Sequence, residues 1–228
     1  VQTGYKGYPA FPDENDVINL FKKGYKNNWQ ILAHANGDAA IDQFVKATRI
    51  AADKYGNDNR RTTLIHGQYI REDQLDSLKN LNVIASLFPL HTFYWGDWHK
   101  EIIGEELGNK ISPVRTALKK GVKVTIHTDA PVALPNLIRM VGISVERKSR
   151  SGLVIGPNEK MTPYEALKAI TIWSAYQHFE EDMKGSLKKG KLADLVILDQ
   201  NPLKVEESDI KNTTVLQTIK EGNIVFEK

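Results

Sequence analysis

Two histidines and an aspartate stand where short apolar runs of the chain end. His34 and His66 each close such a run, and Asp129 directly follows the run 122–128. Imidazole is the commonest protein ligand for zinc, and a carboxylate can both bind a metal and accept a proton from water. Because the carboxyl ends of parallel strands meet at one edge of a sheet, the pattern predicts a divalent-metal site with His34, His66 and Asp129 as ligands. Asp129 is also the candidate catalytic residue, and this ligand set suits Zn²⁺ best.

A second interpretation of the same residues stays open. A histidine at a strand end can be a hydrogen-bonded core residue, and Asp129 suits the N-cap of a short turn before its Ala-Pro pair. His34 and His66 are 32 residues apart, about one strand–helix unit, and this shared register favours the metal site. His127 lies two residues before Asp129 and is predicted to be structural, and His178 is assigned no role.

The connection 89–110 is too rich in aromatic residues for a plain linker. Long ordered loops of this kind tend to be functional, and this one leaves the carboxyl end of a predicted strand. His91, Tyr94 and Trp95 are therefore candidates for contact with a small-molecule substrate, with the alternative that the aromatic rings only pack the loop against the fold. Arg147 could bind a substrate carboxylate with two hydrogen bonds, but a solvated helix end is the favoured interpretation.

Strand and helix patterns alternate along the elements that position these residues. After an irregular loop at 5–15, the predicted strands are 29–34, 61–66, 83–88 and 122–128. The predicted helices are 16–27, 39–55, 71–80, 113–120, 134–149 and 162–181. Strands that alternate with helices of this length predict an α/β fold with a parallel sheet and right-handed crossovers. Because a complete (βα)8 (TIM) barrel takes about 250 residues, four such units predict half of one over residues 1–184.

The segment 185–228 has a different texture, with short strands and regularly placed glycines. Strands are predicted at 193–198 and 215–219, and a hairpin turn at 220–223 leads into a strand at 224–226. Two or three strands alone do not make a stable sandwich. We therefore expect 185–228 to be the C-terminal strands of a small, composite β-sandwich.

Composition excludes several classes of protein. The net charge is +3 over 228 residues and the basic residues are mostly dispersed, so a nucleic-acid partner is not expected. With no cysteine, the chain has neither disulfides nor thiolate metal ligands. The sequence has no run of about eighteen apolar residues, so no membrane span is predicted, and a cytoplasmic location is expected. The chain begins with Val1, so we expect a longer protein with an additional N-terminal segment.

Four motifs resemble the metal-dependent amidohydrolase superfamily, specifically its family-3 branch. They are HANGDAAID at 34–42, LIHG at 64–67, HTDAPV at 127–132 and GSLKKGKLADLVILD at 185–199. The resemblance implies a (βα)8 barrel, of which this chain holds roughly strands five to eight, with a sandwich built from both ends of the protein. It also implies hydrolysis of amide or other non-peptide C–N bonds with water activated by one or two divalent metals.

The resemblance assigns His34 to the strand-five ligand, His66 to the strand-six ligand, and Asp129 to the strand-eight aspartate that binds metal and moves the proton. The family's His-x-His pair of strand one is absent, and so is the strand-four lysine or glutamate. We therefore expect a fragment that is inactive by itself, completed by the missing N-terminal segment. A non-catalytic binding module that uses the aromatic loop 91–99 is the alternative function, and a homodimer is an alternative way to complete the fold.

Overall fold

The computed structural model describes residues 9–228, so residues 5–8 of the predicted N-terminal loop lie outside the described part. Four parallel strands form the larger sheet in the order β1-β2-β3-β4. These strands are β1 Leu32–Ala35, β2 Thr63–His66, β3 Ile84–Leu87 and β4 Lys123–Ile126. The helices are α1 Glu14–Lys26, α2 Asp38–Tyr55, α3 Glu72–Asn80, α4 Leu90–Ile103, α5 Glu105–Gly108, α6 Val114–Lys119, α7 Leu137–Glu146, α8 Pro163–Ile170 and α9 Ile172–Gln177.

The helices cover one face of this sheet. Since alternate strand residues point to the same side, every second residue of a strand meets them. Leu64, Ala85 and Val124 share one register row and are buried in the same core as side chains of α2, α3 and α6. On β1, Ala33 continues this row and packs against the core, whereas Leu32 and His34 belong to the opposite face and are exposed. The predicted α/β class and parallel pairing are confirmed, and among residues 9–228 the sheet is open and not a closed barrel.

The predicted loop at 89–110 is wrong, because the chain there forms α4 and α5. Polar and apolar residues are distributed around α4, so the segment carries no clear amphipathic period that sequence could reveal. Gly96 lies where a Cβ atom would stand 2.8 Å from Cγ1 of Ile155, so glycine lets α4 pack closely against the segment that follows α7. The substrate-contact candidates of this region are therefore held on a helix.

Two predicted helices are also shorter or divided. The helix at 134–149 is confined to α7, because Asn136 caps its first turn and Arg147 ends it with a φ of 54°. The predicted helix at 162–181 is two helices, since Thr171 takes a non-helical conformation between α8 and α9. Thr162 and Glu165 begin α8 with a reciprocal capping box.

The C-terminal strands form a separate antiparallel sheet in the order β5-β6-β7. The strands are β5 Leu195–Leu198, β6 Val215–Lys220 and β7 Asn223–Glu227. Glu221 and Gly222 make the predicted hairpin turn with positive φ values of 50° and 83°. The apolar side chains of this sheet are largely exposed, namely Val196, Ile197, Leu216, Ile224, Val225 and Phe226. Among the described residues, no helix combines the length and the apolar character that crossing a bilayer requires.

Candidate metal centre

Three side chains with metal-ligating atoms meet at the carboxyl edge of the parallel sheet. His66 is the last residue of β2, while His127 and Asp129 follow β4 directly. One ligand atom from each lies within 4.8 Å of the others, and His66 Nε2 is 3.9 Å from Asp129 Oδ2. The three ligand atoms are therefore close enough together to share one cation.

Unusual backbone conformations shape this cluster. His66 and Asp129 have φ values of 79° and 53°, which few residues with a side chain adopt. The His66 backbone is in register with Ala35 and Leu87, two buried residues, yet its ring lies 4.5 Å from the ring of His34 and 5.0 Å from that of His127. Left-handed backbone at non-glycine residues costs on the order of 1–3 kcal/mol and is concentrated at functional sites.

Burial keeps the two cluster histidines neutral, which is the form that binds a metal. Burial lowers the pKa of His66, with a smaller effect from His34 in the same direction and an opposing one from Asp129. Burial also lowers the pKa of His127 to about 4. Among the described residues, His66 Nδ1 and His127 Nε2 have no hydrogen-bond partner although both atoms are buried. Buried polar atoms are nearly always partnered, and it is the other ring nitrogen of His66, Nε2, that lies 3.9 Å from the Asp129 carboxylate. Two neutral imidazoles with open ring nitrogens and a neighbouring carboxylate fit a divalent cation.

The structure brings the predicted ligands together only in part. His66 and Asp129 lie in the cluster, whereas His34 is exposed on β1 and stands beside His66 outside the three-atom group. His127, predicted to be structural, supplies the third side chain of the cluster. The sequence signal that could have identified His127 is its spacing from Asp129. Residues two apart on an extended chain project to the same side, as His127 and Asp129 can.

The substrate-contact candidates of α4 lie at different distances from the cluster. His91 is buried, its ring is 6.0 Å from that of His66, and its Nδ1 is 3.1 Å from Ser112 Oγ. Burial lowers the pKa of His91 to about 3. The Trp95 ring is 6.0 Å from that of His91, one helical turn further out, and Tyr94 packs against Trp95.

Phe88 joins these rings to the metal cluster. Its ring stacks on that of His127 with centroids 5.3 Å apart, and it lies 4.6 Å from His91 and 6.2 Å from Trp95. The cluster is therefore bordered by uncharged aromatic side chains on the side of α4.

Arg147 lies in the interior, which contradicts the predicted solvated helix end. Its side chain is fully buried and donates hydrogen bonds to the backbone carbonyls of Ile111, Ser112 and Ile155. Burial lowers the pKa of its guanidinium to about 10. Since its donors face backbone oxygens, Arg147 ties segments of the fold together and does not face the metal cluster.

Comparison with known proteins places this geometry in a family. A family model described as the amidohydrolase family matches residues 1–226. N-substituted formamide deformylase of Arthrobacter pascens is 26% identical over 219 residues, which are 96% of this chain and 40% of that protein. Protein LONG AFTER FAR-RED 3 of Arabidopsis thaliana is 28% identical over 216 residues, 94% of this chain and 37% of that protein.

A solved structure agrees with these relatives. The crystal structure of an uncharacterized metal-dependent hydrolase from Pyrococcus furiosus matches with a TM-score of 0.70 and 25% identity, and it covers 88% of this chain and 39% of that chain. This chain spans about two fifths of the length of the curated relatives it matches. Because the family model matches the chain almost from end to end, the protein belongs to the amidohydrolase family, in its family-3 branch of metal-dependent hydrolases.

Proposed function

We propose that this chain contributes part of the active site of a metal-dependent hydrolase that cleaves non-peptide C–N bonds of small molecules. The observation that carries this proposal is the cluster of His66, His127 and Asp129, in which two buried imidazole nitrogens have no partner among the described residues. The relative from Arthrobacter pascens is an N-substituted formamide deformylase, and this supports C–N hydrolysis.

The cluster residues divide the chemical work. His66 and His127 would hold the metal as neutral ligands, and Asp129 would complete the set with a carboxylate that is only partly buried. A divalent cation bound there would supply Lewis-acid chemistry, which can polarise a carbonyl and lower the pKa of water to about 7. Asp129 accepts a proton from the attacking water and returns it to the nitrogen as the C–N bond breaks. Zn²⁺ is the metal we propose, with His34 as a further ligand beside His66.

We further propose that residues 1–184 correspond to roughly strands five to eight of a (βα)8 barrel and residues 185–228 to part of a composite β-sandwich. The open parallel sheet and the exposed apolar residues of the C-terminal sheet support this division. The missing partner would be an N-terminal segment that carries a His-x-His pair. Because only part of the ligand set is then available, the chain alone should bind zinc weakly and have no appreciable activity.

A homodimer is the alternative partner arrangement, since edge strands such as β1 are seldom left bare. Exposed Trp29 and Leu32 beside this edge are compatible with either partner. Sedimentation of the chain at high concentration distinguishes them, because a monomer at all concentrations excludes the dimer.

Metal analysis and an amide-hydrolysis screen test the proposed activity. The protein extended at its N-terminus by a His-x-His strand should bind a divalent metal tightly and hydrolyse small formamides or acetamides, whereas the 228-residue chain should bind the metal only weakly and show no turnover. Turnover by the chain itself would contradict the proposal that the segment is required. Ligand binding through 91–99 without hydrolysis by the extended protein would favour the alternative binding module.

His91, Tyr94 and Trp95 are the proposed substrate contacts, and a matched ligand pair tests them. Acetanilide and N-cyclohexylacetamide have six-membered substituents of similar size, but only the first is flat and aromatic. Stacking on Trp95 should make acetanilide bind roughly 3- to 10-fold more tightly. Trp95→Leu should abolish this preference. Trp29→Leu changes a tryptophan that precedes β1, at the amino end of the sheet, and should retain it. Equal binding of both ligands to the unaltered protein would exclude a stacking role.

A further inference from the structure

A buried glutamine connects the loops that follow the two neighbouring histidine strands. Gln68 is 3% exposed, and its Oε1 accepts a hydrogen bond of 2.9 Å from Asn36 Nδ2. Its Nε2 lies 2.9 Å from His99 Nε2, and His99 Nδ1 lies 2.7 Å from the carbonyl oxygen of Trp95. Its backbone N–H also donates to Asn36 Oδ1, at 3.4 Å, so the Asn36–Gln68 contact is reciprocal.

In this series of hydrogen bonds from Asn36 to Trp95, the direction of each bond fixes the direction of the next. A carbonyl can only accept, so Nδ1 of His99 must carry the proton that is donated to Trp95. Burial lowers the pKa of His99, so the ring is neutral and its Nε2 is an acceptor. Gln68 must therefore present its NH₂ group to His99, which leaves its oxygen for Asn36. Each side-chain polar atom of Asn36, Gln68 and His99 therefore has a hydrogen-bond partner of the right kind.

The position of these residues relates them to the metal centre. Asn36 and Gln68 each lie two residues beyond a histidine, His34 and His66, and at the ends of neighbouring parallel strands. Regular strand pairing stops at Ala35 and His66. Beyond it, the Tyr69 backbone N–H donates to the Asn36 carbonyl oxygen, and the side-chain bonds of Asn36 and Gln68 add to this connection between the two strands. His99 lies on α4, so its bond to Gln68 joins this connection to the helix that carries His91, Tyr94 and Trp95.

We propose that Asn36, Gln68 and His99 form a hydrogen-bonded positioning chain that holds the His34 and His66 rings against each other for metal binding. Its link to metal binding rests on the proposed function, whereas the positioning itself does not. None of the three residues belongs to the His66, His127 and Asp129 cluster. Residues hydrogen-bonded directly to metal ligands typically change metal affinity by 10- to 100-fold when substituted, and this range is the upper bound for a chain that acts through the backbone.

The molecule supplies a matched control in Gln74, which is 2% exposed. Its Nε2 donates to the Asp38 carbonyl oxygen and to Asp42 Oδ1, each at 2.7 Å, and its Oε1 accepts from the Arg71 backbone N–H. Gln68→Leu and Gln74→Leu therefore both remove a buried, fully bonded carboxamide. Gln68 bonds to the loop residue that lies two positions beyond His34, whereas Gln74 joins the first turns of α2 and α3.

Nuclear magnetic resonance of the 228-residue chain tests the positioning without any metal. The unaltered chain should show His99 protonated at Nδ1 and a nuclear Overhauser effect between the His34 and His66 rings, whose centroids are 4.5 Å apart. Gln68→Leu should release the fixed tautomer and weaken the ring contact at least twofold, while Gln74→Leu should leave both unchanged. Asn36→Ala, in a partly exposed loop, should weaken the same ring contact and serves if Gln68→Leu does not fold.

A Co²⁺ titration of the same variants tests the link to metal binding. We expect Gln68→Leu to weaken affinity about 10-fold, and Gln74→Leu to change it less than twofold. An unchanged ring contact and tautomer in both Gln68→Leu and Asn36→Ala would overturn the positioning chain, whatever the metal does. If neither the unaltered chain nor any variant binds metal, but the contact between the His34 and His66 rings is weakened in Gln68→Leu, the proposed metal function is wrong and the positioning chain stands.

Discussion

At the two ends of the parallel sheet, the buried charged and imidazole side chains differ in their partners. At the amino end, Arg61 is 7% exposed and pairs with Glu181 at 2.6 Å, and Gln177 accepts a hydrogen bond from the Gln30 side chain. At the carboxyl end, among the described residues, buried nitrogens of His66 and His127 have no partner. The amino end is therefore arranged for stability, and the carboxyl end retains polar groups that a ligand can satisfy.

This contrast predicts that substitutions at the two ends affect different properties. A change at the carboxyl end should remove metal binding or turnover with little loss of stability. A change at the amino end should lower the free energy of unfolding and leave metal affinity intact. The predictions below run from the largest expected effect to the smallest.

Asp129→Asn should cause the largest change. It keeps the size of the side chain but removes the carboxylate that accepts a proton, so kcat/KM of the N-terminally extended protein should fall by roughly 10²- to 10⁴-fold. Steady-state kinetics with a small amide measure this effect. Asp182→Asn, an exposed position near the amino end, is the control and should change kcat/KM less than twofold. A similar loss in both variants would remove the distinction between the two ends.

Arg61→Met should be the most damaging single change at the amino end. It leaves the carboxylate of Glu181 without the Arg61 donor, removes one of the donors to the backbone carbonyl of Tyr176, and removes the guanidinium that packs on the rings of Tyr176 and Phe179. We expect a loss of about 2–4 kcal/mol in the free energy of unfolding, measured by urea denaturation. Zinc affinity of the folded variant should stay within twofold of the unaltered chain, and a tenfold weakening would contradict the separation.

Metal addition should stabilise the chain through the carboxyl end alone. Zinc present at about 100 times its dissociation constant should raise the free energy of unfolding by about 2.7 kcal/mol. The increment should persist in Arg61→Met and disappear in His66→Ala, as thermal denaturation with and without a chelator will show. An equal increment in His66→Ala would place the bound metal elsewhere.

The Arg115–Glu165 pair, away from the sheet edges, sharpens the stability side of the contrast. The hydrogen bond from Arg115 lowers the pKa of Glu165 to about 2 from its ordinary 4.5. The unfolded chain therefore binds this proton first, so the stabilisation is complete above about pH 4.5 and is lost as the pH falls toward 2. Glu165→Gln should cost about 1–2 kcal/mol at pH 7 and flatten the dependence of stability on pH in this window. An unchanged acid limb in the variant would count against the pair.

Local patterns predicted the elements that place the metal site. The apolar runs ending at His34 and His66 are strands, and Asp129 lies beyond a fourth, because strand burial leaves a direct mark on sequence. The helix α4 left no such mark, since its packing depends on Gly96 meeting Ile155 far along the chain. For the same reason the interior position of Arg147 and the bonds of Gln68 could not be foreseen. They depend on backbone groups and loops that only the folded chain brings together.

The zinc affinity of the 228-residue chain, measured by calorimetric titration of two matched histidine variants, tests the central claim most directly. His127 lies in the cluster, whereas His178 is an exposed residue at the end of α9. We predict that the unaltered chain binds zinc, that His127→Ala weakens binding at least tenfold, and that His178→Ala changes it less than twofold. Undiminished zinc binding by His127→Ala, or no binding by the unaltered chain, would contradict a metal centre formed by His66, His127 and Asp129.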